Sequence, residues 1–303
     1  MAIASKVAKQ TDELCAKSRC IIVVQPLIVK QTQASIRMCL LPSTTAGMRV
    51  PQEFSPGLLK RSATQPVVLR LHAHSTSAVF TGEDQMEKLA IQSPIVQAAI
   101  DVLTIDEALK IAEAAVKAGV DWLEAGTPLI TFEGVKAIGA LAREFPGVPV
   151  LADYKMMDGV RKYVLETANQ GGRVCTICGV ASDASIREAA RAAVDSGVTL
   201  MVDLYAAPDI ALRAQQVIEM GADAVYVHWG ADQRTEDPQY DSVADLDAVV
   251  AAVSVPVGAA TWSVQDAVRA RARGASVFVI GMPLIKAADP EAALREYVQA
   301  VKG

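Results

Sequence analysis

Five acidic residues, one lysine and one histidine recur in this chain where short apolar runs end. They are Asp101, Glu124, Asp153, Asp203 and Asp232, with Lys155 two residues after Asp153 and His228 directly after an A-V-Y-V run. Like charges gathered in a buried place raise one another's pKa, and an ammonium among them restores ionisation. Such a set suits proton movement beside a developing carbanion. Two carboxylates at the ends of adjacent strands, Glu124 and Asp153, also suit a hard cation: Mg²⁺ takes oxygen ligands, keeps water and commonly uses one or two carboxylates. That ion would grip vicinal sugar oxygens and stabilise an enediolate. Each residue also has a plainer reading. An aspartate at a strand end is often a helix N-cap, the role expected here for Asp203. Lys155 between acids is equally a salt bridge, and a lone strand-end histidine is often structural, though His228 is the only histidine after residue 74. Cys175 and Cys178, three apart in one apolar run, point to opposite faces of a strand and read as core residues.

The elements that must position these groups follow from periodicity. Apolar runs at 95–100, 122–124, 148–152, 174–178, 199–202, 224–227, 255–259 and 276–280 alternate with amphipathic segments. Continuous apolar strands are buried on both faces, as in a parallel sheet covered by helices. Helix starts are marked by Thr104 with Glu107, by Ser185 with Glu188, and by Pro290 in a first turn. Glycines at 119, 197, 221 and 274 mark helix stops that lead into strands. Eight such units over 86–303 average about 27 residues each, near the lower limit for an α/β fold of the (β/α)8 TIM-barrel type. No G-x-G-x-x-G follows the first run, so an open doubly wound sheet lacks its fingerprint. In a barrel the C-terminal strand ends form one rim, and charged groups project from five of those eight ends.

Residues 1–85 differ from the rest. They carry ten Lys/Arg against five Asp/Glu, while the whole chain has a net charge of −5. The segment is rich in Ser, Thr and Gln, is broken by prolines, and has two short runs, 21–24 and 66–71, that are candidate strands. It reads as a poorly ordered N-terminal extension to a catalytic domain at 86–303, and its composition also suits an organelle transit segment. The chain has 303 residues, 51% of them hydrophobic, and no apolar run approaches the ~18–20 residues of a membrane span. Five cysteines suit a reducing compartment, with the cytoplasm expected. Net acidity gives no pull toward nucleic acid.

Three stretches carry a family likeness: V-D-W-L-E-A-G-T-P at 120–128, A-D-Y-K-M-M-D at 152–158 and V-H-W-G-A-D-Q at 227–233. Together they resemble the orotidine monophosphate decarboxylase superfamily, in its 3-hexulose-6-phosphate synthase/3-keto-L-gulonate-6-phosphate decarboxylase branch. The likeness covers roughly 88–303. It implies Mg²⁺ bound by Glu124 and Asp153, Lys155 neutralising the intermediate, His228 as acid/base, and Asp101 placed for substrate hydroxyls. It implies a homodimer in which Asp158 reaches into the partner's site. The implied reaction is reversible aldol addition of formaldehyde to D-ribulose 5-phosphate, giving 3-hexulose 6-phosphate through an enediolate. The resemblance leaves two alternatives: decarboxylation of a related sugar acid phosphate, and a diverged barrel without turnover. Keto-gulonate enzymes carry an arginine three residues after this histidine, where this chain has Ala231. The family also binds phosphate through glycines after strands 7 and 8. Here Thr261-Trp262 and Gly281-Met282 stand in those places, so Thr261, Ser263, Gly281 and Met282 are expected to take the phosphate. Arg234 or Lys286 is the expected local cation.

Overall fold

A computed structural model describes the backbone of residues 20–26 and 36–42, and residues 87–92, 94–241 and 243–303. The chain divides into two units, 1–75 and 76–303. In the first, Cys20–Pro26 and Ile36–Pro42 pair as an antiparallel ribbon. The apolar run at 21–24 therefore lies in a strand, and the run at 66–71 lies outside the described residues.

The second unit is a (β/α)8 TIM barrel. Its strands are β1 (Ile95–Ile100), β2 (Trp122–Ala125), β3 (Val150–Met156), β4 (Val174–Cys178), β5 (Thr199–Asp203), β6 (Ala224–Val227), β7 (Val257–Thr261) and β8 (Val277–Ile280). Each pairs parallel with the next, and β8 closes on β1. The largest covering helices are α1 (Ile105–Ala118), α5 (Asp183–Ser196) and α10 (Pro290–Lys302). Among the described residues no helix is long and apolar enough to cross a membrane.

Strand alternation sorts the side chains into two layers. Val96, Leu123, Val150, Ile177, Leu200, Val225 and Phe278 face outward under the helices. Ile95, Trp122, Leu151, Val174, Met201, Ala224, Tyr226 and Val277 fill the barrel interior, with Leu89 and Ile91 packed against them. Both faces are buried, which is why the strands read as unbroken apolar runs. Gly258 is part of this interior. A Cβ there would lie 2.8 Å from the Tyr226 Cβ and 2.9 Å from the Met201 Cε.

The expected helix ends are largely present. Gly119, Gly197, Gly221 and Gly274 all take left-handed backbone, the conformation a helix stop needs. Thr104 caps α1 by accepting from the Glu107 N–H at 3.3 Å. The cap of α5 is Ser182 rather than Ser185. Ser182 has extended backbone and accepts from the Ser185 N–H at 3.1 Å, while Ser185 is already in the helix. Two strands differ from expectation by more than one residue at an end. β3 runs on to Met156, with a register irregularity between Ala152 and Met156. β7 starts at Val257, after Pro256, which has no N–H to give to a ladder.

The close fit at Gly258 gives a direct test of the interior. Gly258→Ala overpacks it and should cost about 1–3 kcal/mol. The urea midpoint should fall with the helical content of the native protein retained. An unchanged midpoint would show that the interior has slack.

Candidate active site

The same alternation that buries Leu151 and Met201 carries the chemistry one layer higher. Trp122, Leu151, Val174, Met201 and Tyr226 face inward, so Glu124, Asp153, Thr176, Asp203 and His228, each two residues on, also face inward at the C-terminal end. Glu124 lies opposite Leu151 in register, so Asp153 is its diagonal neighbour on the same face. Glu124, Asp153, Thr176 and Asp203 are all buried.

Hydrogen bonds fix Asp153 on both oxygens. Its Oδ1 accepts from Thr176 Oγ1 at 2.6 Å, and its Oδ2 accepts from Thr127 Oγ1 at 2.8 Å and from Lys155 Nζ at 2.6 Å. Lys155 Nζ also lies 3.5 Å from Asp203 Oδ2. The lysine has φ +47°, a left-handed conformation uncommon for a side chain of this size, at the irregular end of β3. Strain of about 1–2 kcal/mol of this kind persists where its surroundings enforce it. Here the two aspartates do so.

Asp203 is not the helix cap expected from its position. The next helix, α6 (Ile210–Glu219), is capped by Asp209, which accepts from the Leu212 N–H. Asp203 instead faces inward with no exposed surface. Its Oδ1 accepts from the Tyr205 N–H at 2.9 Å, and its Oδ2 accepts from the Tyr226 hydroxyl at 2.8 Å and meets His228 Nδ1 at 2.9 Å. A carboxylate at Nδ1 makes that nitrogen the donor of a neutral ring and leaves Nε2 as its basic nitrogen. Tyr205 and Tyr226 flank the imidazole, with ring centroids 5.5 and 5.6 Å away.

The charges follow from these contacts. Burial raises Glu124 well above the ordinary carboxylate value, Asp153 and Asp101 add to that, and Lys155 and Gln97 offset only part. Asp101 keeps an exposed edge at the mouth, but burial of its carboxyl and the nearby Asp153 raise it too. Burial also works against ionised Asp203, yet His228 and Lys155 outweigh it and hold this carboxyl below its ordinary value. Burial opposes the charge on Lys155, and Asp153 and Asp203 overcome that and raise it. At neutral pH Asp203 is therefore a carboxylate and Lys155 an ammonium.

A cavity of about 560 Å³ collects the expected residues Asp101, Glu124, Asp153, Lys155, His228, Gly281 and Met282, together with Thr127, Tyr205, Tyr226 and Trp262. Gly126 lets Asp101 sit there: a Cβ on Gly126 would collide with the Asp101 carboxylate and lie 2.8 Å from the Ile100 carbonyl oxygen. Thr261 touches the cavity, but its side chain belongs to the outward set of β7. Its hydroxyl bonds the Val279 carbonyl at 2.9 Å and the Tyr297 hydroxyl at 2.6 Å. The Ser263 hydroxyl caps α9 (Val264–Ala272) by accepting from the Asp266 N–H. Neither hydroxyl is turned to the cavity as expected. Trp262 forms a wall, its Nε1 donating to the Trp229 carbonyl at 3.3 Å and the Arg234 guanidinium lying 5.0 Å from its ring. Lys286 pairs with Glu107. Asp158 is exposed and lines an adjoining depression with Tyr154, Met157 and Tyr163, which shares Thr127 and Lys155 with the cavity.

Gln97, Thr176, Tyr205 and Tyr226 are site residues that the sequence reading missed. Two of them, Gln97 and Thr176, are polar side chains on the inward parity of otherwise apolar strands, and that parity was the available signal. Gln97 Nε2 donates to Glu124 Oε2 at 2.5 Å. For a divalent cation the donor set is oxygen only: buried Glu124 and Asp153, with Asp101 at the mouth. Among the described residues no three His, Cys, Asp or Glu form a ready ligand cluster. Two carboxylates, with the remaining positions left to water or substrate, match what Mg²⁺ accepts.

Two outcomes follow. In metal-free protein, raised Glu124 contributes stability that is full below its ordinary 4.5 and lost as pH rises toward the folded value. Glu124→Gln should therefore raise the melting midpoint in EDTA at pH 7.5 and lose that advantage at pH 4. A wild type more stable than the variant at pH 7.5 would contradict this. Asp203→Asn keeps the shape but removes the charge that orients His228, and kcat should fall by roughly 10²- to 10⁴-fold. A loss under threefold would remove Asp203 from the machinery.

Comparison with known proteins identifies the family. The sequence profile of the Orotidine 5'-phosphate decarboxylase / HUMPS family matches residues 94–297. The chain is 36% identical over 210 residues to "3-hexulose-6-phosphate synthase 3" of Staphylococcus saprophyticus, covering 68% of this chain and 98% of that protein. The crystal structure of 3-hexulose-6-phosphate synthase from Salmonella typhimurium superposes with a TM-score of 0.65 at 31% identity, over 68% of this chain and 98% of the other. The 3-keto-L-gulonate-6-phosphate decarboxylase of Vibrio cholerae shares the fold at 21% identity with a TM-score of 0.59, over 70% of this chain and 100% of that one. This protein is a lyase, and it belongs to the Orotidine 5'-phosphate decarboxylase / HUMPS family.

Proposed function

We propose that this enzyme joins formaldehyde to D-ribulose 5-phosphate, reversibly, to give 3-hexulose 6-phosphate. The observation that carries the reading is the Lys155 ammonium, bonded to buried Asp153 and beside buried Asp203, in the same cavity as a His228 oriented by Asp203. The relatives at 31–36% identity are named for this activity.

The chain's own groups account for the steps. The substrate's C1–H loses its proton to a basic group at the rim, for which His228 Nε2 is suited, and the electron pair enters the C1–C2 enediolate. The Lys155 ammonium faces that negative charge from a low-dielectric site, where a fixed cation is worth more than in water. The C1 carbon then attacks the formaldehyde carbon, and the carbonyl oxygen takes a proton to become the new hydroxyl. Asp101, open to the mouth, accepts hydrogen bonds from sugar hydroxyls. Glu124 and Asp153 would hold Mg²⁺, which would supply positive charge to stabilise the electron-rich intermediate. The substrate phosphoryl group lies along the wall at Gly281 and Met282, where Gly281 has no side chain and backbone can approach an anion. A reducing, cytoplasmic setting fits the free thiols of Cys175 and Cys178.

Asp158 fits a homodimer. It is absent from the lining of its own chain's cavity and lies beside Met157 and Tyr163, apolar groups 48% and 42% exposed. Covering them with a second copy would bring Asp158 to the partner's site.

With purified protein, ribulose 5-phosphate and formaldehyde should disappear together in Mg²⁺, and EDTA should stop the reaction until Mg²⁺ is restored. Lys155→Ala should lower kcat by at least roughly 10³-fold. Carbon dioxide release from a keto sugar acid phosphate, with no loss of formaldehyde, would replace this reading with the decarboxylase. No turnover of either kind would leave a binding protein. Refolding Lys155→Ala together with Asp158→Ala should recover activity that neither has alone, because a mixed dimer holds one whole site. No recovery would show that Asp158 does not act across the interface, and an Asp158→Ala variant with full activity would place it outside the chemistry.

A further inference from the structure

One buried polar atom in the barrel interior is left without a partner by everything above. Gln97 is 2% exposed, on the inward face of β1, one residue pair below the carboxylates. Its Nε2 donates to Glu124 Oε2, but its carbonyl Oε1 is buried and has no hydrogen-bond partner among the described residues. A buried carbonyl without a donor is costly, and such groups in native proteins call for a reason. Reversing the amide only exchanges the orphan, because Nε2 would then occupy the buried place where Oε1 has no partner. An apolar side chain of similar volume would fill the space without leaving an atom unpaired, as Val277 and Val279 do elsewhere in the interior.

We propose that Gln97 is a positioning residue for Glu124, holding one carboxylate oxygen so that the other faces the cation. The proposal rests on the Mg²⁺ reading of the site. Three observations converge on it. The bond from Nε2 fixes Oε2 from below, on the side away from the mouth. Among the described residues Glu124 has no cationic partner at hydrogen-bond distance, unlike Asp153, which bonds Lys155 directly. Gln97 thus supplies the direct N–H donor to a carboxyl that is buried and shares its cavity with Asp153 and Asp101. A partner that orients a metal-binding carboxylate is worth roughly 10- to 100-fold in affinity.

The test measures cation binding apart from turnover. Mn²⁺ binding to metal-free full-length protein is followed by electron paramagnetic resonance for wild type and for Gln97→Met, which keeps the volume and removes the donor. The Mn²⁺ Kd should rise by about tenfold or more, with the metal-free melting midpoint equal to or above that of wild type, since the unpaired carbonyl is removed as well. Equal Kd values would overturn the proposal and leave the cation reading standing. Wild type without Mn²⁺ binding would overturn both. Should Gln97→Met fail to fold, the wild type decides: Mg²⁺ titration should move the Gln97 side-chain amide signals in ¹⁵N-glutamine-labelled protein, and an unmoved signal rejects the role.

Discussion

Negative charge crowded inside a barrel, and answered by the Lys155 ammonium, is the constraint around which this molecule is arranged. Glu124, Asp153 and Asp203 are all buried on the inward face of neighbouring or near-neighbouring strands. Removing carboxylates from water is expensive unless they are paired and fully hydrogen-bonded. Asp153 and Asp203 meet that requirement through Thr176, Thr127, Tyr226, the Tyr205 N–H and Lys155. Glu124 does not, and its raised pKa records the deficit. An arrangement that leaves one acid uncompensated stores a preference for a further positive charge at that place. Under the proposed function, a divalent ion and a substrate going through an electron-rich state would both draw on the same imbalance.

The scaffold explains how the imbalance persists. Eight hydrogen-bonded strands with apolar side chains on both faces cannot move apart to relieve repulsion at the rim. The strain at Lys155, with its positive φ, appears where the ladder of β3 becomes irregular. A regular strand would carry the ammonium on along the strand direction, whereas the bend returns it to Asp153 and within 3.5 Å of Asp203. On the far side of the cavity Trp262, pinned by the Trp229 carbonyl and Arg234, closes a wall that glycines would leave open.

Much of this was legible in the residues. Apolar runs, glycine stops and caps specify eight βα units, and the rim residues Asp101, Glu124, Asp153, Lys155 and His228 follow from strand ends alone. What was misread has a common cause. Deciding between a cap and an inward acid at Asp203 requires the parity of β5, and Met201 two residues earlier shows it only once the interior is known. Thr261 was misplaced because β7 runs on through it, and its shared parity with outward Val257 and Ala259 turns the hydroxyl toward Tyr297 instead of the cavity. Gln97 and Tyr226 stayed hidden inside runs that read as core, since apolar continuity conceals which face a polar side chain occupies. Asp158 is absent from the lining of its own chain's cavity, and intrachain spacing carries no information about what would cover it.

The most direct measurement of the central claim is hydrogen exchange at C1 of ribulose 5-phosphate in deuterium oxide without formaldehyde, followed by proton NMR. If the buried acids and Lys155 stabilise an enediolate, the enzyme exchanges a C1 proton for deuterium before any carbon–carbon bond forms, and Lys155→Ala abolishes the exchange. A wild-type enzyme that consumes both substrates together yet exchanges nothing, or a Lys155→Ala variant that exchanges at the wild-type rate, would contradict the account.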